Sequence, residues 1–90
     1  MADQDAPSLI EYPSAFPVKV LGVNAEGFAE AMIAVARRFD PAFDAANVEL
    51  RPSRGDKYLG VTLTVTATSR EQLDALYRAL SAHEMVKVVL

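Results

Sequence analysis

The chain has 90 residues, of which 51% are hydrophobic, and its formal net charge at pH 7 is −3. A chain this short forms one domain, and its lack of cysteine excludes disulfides and cysteine-ligated metals as supports for the core. The acidic balance argues against a general nucleic-acid binder, which needs cations to neutralise phosphates. We expect a cytoplasmic protein without cofactor or metal. No membrane segment is expected, since no apolar run reaches the roughly 20 residues that a spanning helix needs.

The beginning of the chain divides into a tail and a first strand. Residues 1–8 are polar and acidic without periodicity, which predicts a disordered tail, and residues 9–90 are predicted to form the single domain. Because proline lacks a backbone N–H, the first strand is predicted to begin near Phe16 or after Pro17 and to end at Gly22. Its inward face is predicted to carry Phe16, Val18 and Val20.

A helix is predicted after the short connection that follows this strand. Asn24 is expected to be its N-cap, with the side-chain oxygen accepting a backbone N–H of the first turn, and Pro41 stops the helix at or before Asp40. Phe43 is expected to tuck under the helix. The apolar side chains that recur at helical spacing are Phe28, Met32, Val35 and Phe39.

Two further strands are predicted to form a hairpin around the turn sequence at 53–57. In the first of them, over residues 47–51, Val48 and Leu50 are expected to point inward. Pro52 then marks an edge strand or the end of the strand, because it cannot donate to a neighbour.

The clearest strand signal in the chain runs from Tyr58 to Thr68, where apolar and hydroxyl-bearing residues alternate almost without a break. Because successive side chains of a strand point to opposite faces, the strand has one apolar face and one threonine-rich face. We therefore predict a central strand that is packed on one side only.

A second helix and a last strand complete the domain. Ser69 and Gln72 form the signature of a capping box, which predicts the start of the helix. A short apolar strand is predicted over residues 85–90. The helix carries an apolar stripe at i, i+3, i+4 and i+7, made of Leu73, Leu76, Tyr77 and Leu80.

The predicted order β-α-β-β-α-β is that of an α+β, ferredoxin-like two-layer sandwich. Right-handed crossovers place both helices on one face of a four-stranded antiparallel sheet with the spatial order 4-1-3-2, in which the final strand lies at an edge. The other sheet face stays uncovered and is predicted to be polar. Its predicted residues are Lys19, Glu49, Thr62, Thr64, Thr66 and Lys87.

One set of segments spans nearly the whole chain after the tail. It comprises residues 9–16 and 19–22, Pro52 and Ser53, and then Tyr58, Val61, Thr64, Ala67, Thr68, Glu71, Gln72, Leu76, Tyr77, Leu80 and residues 88–90. These segments resemble the YbeD-like family of bacterial proteins. The sequence departs from that family at Gly55, which stands one position early, and at Gly60, where serine is usual. The resemblance implies a ferredoxin-like fold close to the small-molecule-sensing ACT domains and a link to lipoate metabolism, and it carries over no catalytic residues.

ACT-type domains bind amino-acid-like ligands at the entry to the first helix, across a dimer interface. The resemblance therefore implies a homodimer with a site for a small amino-acid-like or acyl ligand. Alternatively, the two glycines there serve a turn and a helix-packing contact. The candidate ligand-binding residues are Gly22, Val23, Asn24 and Gly27.

Arg51, Arg54 and Lys57 form a basic cluster around the hairpin turn, which is a candidate contact for an anion or a partner. Neighbouring acids partly offset its charge, and the alternative is a solvated hairpin. RNA-recognition domains of the same topology stack bases on aromatics of the open sheet face. Here that face of the central strand has threonines and only Tyr58 at its start, so nucleic acid is not expected.

The sequence offers no catalytic constellation. His83 is the only histidine, without a second metal ligand or a nucleophile motif at a suitable spacing. Acylphosphatases share the topology but hold phosphate with an arginine at the entry to the first helix, where this chain has Glu26. We therefore expect a non-enzymatic regulatory or ligand-sensing domain. The alternative is a protein-interaction adaptor that uses the open sheet face or an edge strand.

Overall fold

The computed structural model describes residues 11–90, which form an antiparallel sheet with two helices on one face. The order β2-β3-β1-β4 confirms the predicted ferredoxin-like topology. The predicted disordered tail, residues 1–8, lies outside the described residues. The elements are β1 (Ser14–Val23), α1 (Phe28–Phe39), β2 (Glu49–Pro52), β3 (Tyr58–Ala67), α2 (Arg70–Ala82) and β4 (Val86–Val89).

β1 begins at Ser14, earlier than predicted, and contains Pro17 in its interior. The N–H of Leu90 donates to the carbonyl oxygen of Lys19 at 2.7 Å. Backbone groups alternate in direction along a strand, so the odd-numbered residues of β1 face β4. β4 accompanies β1 no farther back than Lys19. Pro17 is tolerated because the backbone N–H that it lacks would point to the β4 side of β1, at a position that β4 does not reach.

The core lies between the inner face of the sheet and the two helices, as both predicted apolar stripes require. Phe43 is buried, as predicted, while Phe39 and Tyr77 pack half-buried at the margin of the core. Burial raises the pKa of the Tyr77 hydroxyl. Within residues 11–90, neither helix is long and apolar enough to span a membrane. The largest fully buried side chains are Val18, Val20, Phe28, Met32, Val61, Leu63, Val65, Leu76 and Leu80.

α1 begins at Phe28 and takes Gly27, not Asn24, as its N-cap. Gly27 has a φ of 90°, a left-handed conformation that glycine adopts without a steric penalty. The Asn24 side chain instead donates from Nδ2 to the carbonyl oxygen of Asp56 at 3.0 Å, and the Asn24 N–H donates to that of Lys57 at 3.2 Å. The predicted Asn24 cap is wrong because a turn separates this residue from the helix. Asn24 ties the β1–α1 connection to the β2–β3 turn.

Asp40 and Gln72 join the end of α1 to β3 and α2. Asp40 is buried, and its Oδ2 accepts the N–H of Thr66 at 2.9 Å. Nε2 of Gln72 donates to the carbonyl oxygens of Phe39, at 2.8 Å, and of Thr66, at 3.1 Å. The two polar side chains thereby satisfy backbone groups where three elements meet.

The predicted capping box at the start of α2 is present in a modified form. Oγ of Ser69 accepts the N–H of Gln72 at 3.0 Å, as the motif requires. Oε1 of Gln72, however, accepts the N–H of Thr68 at 2.7 Å, one residue before the cap.

β2 forms one edge of the sheet, and all four of its residues are exposed. Its register places Leu50 opposite Val61, so Leu50 points inward as predicted. Leu50 is nevertheless 54% exposed, because the helices pack mainly against β3 and β4. Val48, just before the strand, is half-buried against the core.

Candidate functional site

The face of the sheet that points away from the helices, here called the outer face, is not covered by any element of residues 11–90. Cross-strand pairing aligns its side chains into rows, because paired residues of an antiparallel sheet point to the same side. Thr64 and Thr66 lie on the β3 part of this face, as predicted. Two neighbouring rows cross three strands, Lys19–Thr62–Glu49 and Leu21–Gly60–Arg51.

The outer face is not uniformly polar, and in this respect the prediction is incomplete. Val23 is 38% exposed, Val88 41% and Leu90 70%. With the half-buried Leu21, which pairs with Val88, they form an apolar strip along β1 and β4. The prediction rested on the threonines of β3 and on Lys19, Glu49 and Lys87, whereas the strip comes from other outward positions of β1 and β4.

A hollow of about 370 Å³ lies on the outer face around Gly60. A Cβ built on Gly60 would come no closer to a neighbour than 3.4 Å, from the carbonyl oxygen of Arg51. Glycine is therefore not required here for packing, and its missing side chain leaves space between the strands on either side. We call this feature the Gly60 hollow. The outer-face residues that line it are Lys19, Leu21, Glu49, Arg51, Gly60, Thr62 and Leu90.

The Gly60 hollow combines charges of both signs with aliphatic walls. Glu49 and Arg51 stand on the β2 side, and both are exposed. Lys19 stands on the β1 side, beside Leu21 and Leu90. Such a lining matches the chemistry of small molecules that have a charged group and an apolar group, because each part would face a wall of its own kind.

The predicted ligand-binding residues at the entry to α1 do not share one cavity. Gly22 points into the core, where a Cβ would overlap the Phe28 ring and lie 2.5 Å from the carbonyl oxygen of Met85. Val23 is exposed on the opposite side of the sheet. Gly27 is the helix cap and Asn24 bonds to the hairpin turn. Within the chain, Gly22 makes a packing contact with Phe28 and Gly27 forms a turn, and the ligand site at the entry to α1 stays a prediction.

The three residues of the predicted basic cluster have different surroundings. Arg51, Arg54 and Lys57 are all exposed, but of these three only Arg51 lines the Gly60 hollow. Arg54 belongs to a short 3-10 turn, and Nζ of Lys57 lies 5.6 Å from the centre of the Tyr58 ring. Of the three, Arg51 is therefore the residue that lies at the hollow.

His83 has a structural partner. Its Nδ1 accepts the N–H of Met85 at 3.2 Å, and its carbonyl oxygen accepts that of Val86 at 3.0 Å. These bonds shape the link between α2 and β4. Among residues 11–90, no three histidine or acidic side chains are grouped so that they could hold a metal ion.

The Gly60 hollow was not predicted from the sequence, although one signal for it is present. On the outer side of β3, Gly60 stands between Tyr58 and Thr62, so a single position in an otherwise continuous row lacks a side chain. The depth of the resulting hollow depends on Leu21 and Arg51, which only the strand register brings beside it.

Comparisons with known proteins agree on one family. The family model described as "Protein of unknown function (DUF493)" matches residues 7–90. A UPF0250 protein of Leptothrix cholodnii is 64% identical over 90 residues, covering 97% of this chain and 99% of its own. A second UPF0250 protein, from Bordetella parapertussis, is 61% identical over 83 residues, covering 92% of this chain and 91% of its own.

The fold also has a solved counterpart. The solution structure of protein HP0495 from H. pylori matches with a TM-score of 0.79, covering 100% of this chain and 94% of that one. At 13% sequence identity this match shows the fold alone. The family assignment rests on the family model and the close relatives: the chain belongs to the DUF493 family of UPF0250 proteins, as its resemblance to YbeD-like proteins predicted.

Proposed function

We propose that the protein is a non-enzymatic regulatory domain that senses a small molecule bound in the Gly60 hollow. The observation that carries this proposal is the hollow itself, on a sheet face that the helices leave uncovered. Its volume of about 370 Å³ falls at the lower end of the range that small-molecule sites occupy. The proposed site thus moves from the entry of α1, where Phe28 fills the space beside Gly22, to the outer face.

The chemistry of the lining supports binding. The side chains around the hollow are aliphatic, hydroxyl-bearing or charged. His83 is not among them, and its imidazole accepts a backbone N–H in the α2–β4 link. The proposed compartment is the cytoplasm, which a chain without cysteine suits. The resemblance to YbeD-like proteins brings lipoate metabolism into the proposal, so lipoate and octanoate belong among the compounds to test.

A thermal-shift screen with amino acids, lipoate and octanoate tests the proposal, because a ligand bound only by the native state raises the Tm. The matched variants are Gly60→Ser, which places a side chain on the floor of the hollow, and Thr66→Ser, which changes the same strand face outside it. We expect a compound that raises the Tm of the wild type and of Thr66→Ser but not of Gly60→Ser. A screen without any shift, or an equal shift in Gly60→Ser, contradicts the proposal.

A second candidate function is that of a protein-interaction adaptor, which includes self-association as a homodimer. The observation that favours it is the exposed apolar strip of Val23, Val88 and Leu90, which ends at the edge of β4 that no other strand within residues 11–90 pairs with. Exposed apolar side chains beside an unpaired strand edge suit the addition of a strand from another chain.

A further inference from the structure

We infer that the ligand of the Gly60 hollow is a small zwitterion, namely an α-amino acid with an aliphatic side chain. This inference rests on the proposed function and adds the chemical class of the ligand. It comes from the order in which charges and apolar groups follow one another across the sheet, from β2 through β3 to β1.

The charged part of the inference comes from Glu49 and Arg51. Their pairing with Thr62 and Gly60 places both side chains on the outer face, two residues apart on one strand. With a rise of about 3.3 Å per residue, their attachment points are about 6.6 Å apart. An ammonium and a carboxylate carried by the same carbon atom fit between such a pair, each beside the opposite charge.

The same pair discriminates against ligands with a single charge. A simple carboxylate that contacts Arg51 lies close to the Glu49 carboxylate, and an amine that contacts Glu49 lies close to the Arg51 guanidinium. In each case the like charge lowers the affinity that the opposite charge provides. A zwitterion avoids this cost, because both of its charged groups are matched.

The apolar part comes from the floor and the far wall. Gly60 presents no side chain, so a ligand anchored at β2 extends over it toward Leu21, its partner on β1. Leu90 lies beside Lys19, because its N–H donates to the Lys19 carbonyl oxygen at 2.7 Å, and its side chain continues the aliphatic wall. The Lys19 ammonium at this end disfavours a cationic side chain, so the structure selects leucine-like over lysine-like amino acids.

Three related compounds separate the contributions. L-leucine has both charges, 4-methylpentanoate lacks its ammonium, and 3-methylbutylamine lacks its carboxylate. Titrations followed by ¹H–¹⁵N NMR give the Kd of each compound and show which residues respond. We expect L-leucine to bind at least about tenfold more tightly than either analogue, since each charge-assisted contact contributes roughly this factor. L-lysine is expected to bind more weakly than L-leucine.

Two substitutions on the exposed strand β2 assign the contacts. Glu49→Gln is expected to reduce the affinity for L-leucine about tenfold and to leave that for 4-methylpentanoate unchanged or higher. Arg51→Gln is expected to reduce the affinity for both. Arg54→Gln, an exposed arginine outside the hollow, serves as the control and is expected to bind like the wild type. The NMR spectra also verify that each variant is folded.

The outcomes distinguish this inference from the proposed function. If 4-methylpentanoate binds as tightly as L-leucine, the ligand is an acyl anion, so the zwitterion is ruled out and the proposed function stands. The same holds if none of these compounds binds while lipoate or another compound of the screen does. If nothing in the screen binds, both proposals are overturned.

Discussion

Asp40 accepts the backbone N–H of Thr66 through its Oδ2 at 2.9 Å and thereby closes the part of the β3 edge that β2 leaves open. The pairing of β2 with β3 stops at Thr62. Beyond that point a donor on this edge needs a partner from elsewhere, and the buried carboxylate at the end of α1 provides one for Thr66.

Asp40→Ala is therefore expected to lower the free energy of unfolding by about 1–3 kcal/mol, since it leaves a part-buried N–H without its acceptor. Asp40→Asn is expected to cost less, because the amide oxygen still accepts. The control is Asp44→Ala, which removes an exposed bond of 2.9 Å to the N–H of Ala46 that water replaces. Urea unfolding measures all three, and equal losses at Asp40 and Asp44 would contradict the assigned role.

Leu63 and Thr64 are neighbours in β3 that differ in burial. Leu63 is fully buried, and Thr64 lies half-buried on the outer face. Leu63→Asp is expected to unfold the domain, because an unpaired carboxylate in the core costs several kcal/mol against a total stability of about 5–15 kcal/mol. Thr64→Asp is expected to leave the circular dichroism spectrum native. Equal loss of structure in both variants would mean that the outer face is covered.

Gly22 and Gly60 form a matched pair of strand glycines. At Gly22 a Cβ overlaps the Phe28 ring, so Gly22→Ala is expected to destabilise the domain by about 1–3 kcal/mol. At Gly60 a Cβ meets only the carbonyl oxygen of Arg51, at 3.4 Å, so Gly60→Ala is expected to change the stability by no more than about 0.5 kcal/mol. Chemical denaturation compares them, and a stability loss at Gly60 as large as that at Gly22 would argue against an open hollow.

The Tyr77 hydroxyl gives the stability a dependence on alkaline pH. Burial raises its pKa in the folded state, so the unfolded chain loses this proton first. The contribution of Tyr77 is therefore fully present below about pH 10, the ordinary pKa of tyrosine, and is lost as the pH rises through the folded-state value. Urea unfolding between neutral and alkaline pH is expected to show a smaller decline for Tyr77→Phe than for the wild type. Parallel declines would show that Tyr77 does not cause this dependence.

Self-association through β4 is testable at Val89. Because the N–H of Leu90 faces β1, the backbone groups of Val89 face the edge of β4 that no strand within residues 11–90 pairs with. Val89→Pro removes a donor from that edge while the pairing with β1 remains, whereas Val88→Pro removes a donor directed at β1 and is expected to destabilise the sheet. We expect a wild-type dimer and a folded monomeric Val89→Pro in sedimentation analysis. A monomeric wild type, or a folded variant that still dimerises, rules this interface out.

The sequence was sufficient for the fold because its strongest patterns are local. The alternation through Leu63 and Thr64 and the helical stripe through Leu76 each require only neighbours along the chain. The prediction of Asn24 as the N-cap was wrong because a turn within the β1–α1 connection places the start of the helix at Phe28. The exposure of Leu50 depended on how far the helices extend over the sheet, which no single segment specifies.

The candidate site depended even more on tertiary structure. Gly60 is visible in the sequence, but the hollow around it exists only because the strand register brings Leu21 and Arg51 to either side. The predicted site at the entry of α1 was inferred from two glycines and from the resemblance to ACT-type domains. The packing of Phe28 against Gly22 shows that a glycine gives room to a core side chain as readily as to a ligand.

Pro17 has a consequence for aggregation as well as for the fold. Among residues 11–90, no strand pairs with the side of β1 at Pro17 that lies toward β4, and open strand edges are templates on which chains assemble into fibrils. A strand arriving from another molecule would meet no donor at Pro17, so its ladder of hydrogen bonds would be interrupted there. The proline that a central strand tolerates only at its uncovered side thus also protects the exposed half of β1 from seeding intermolecular sheets.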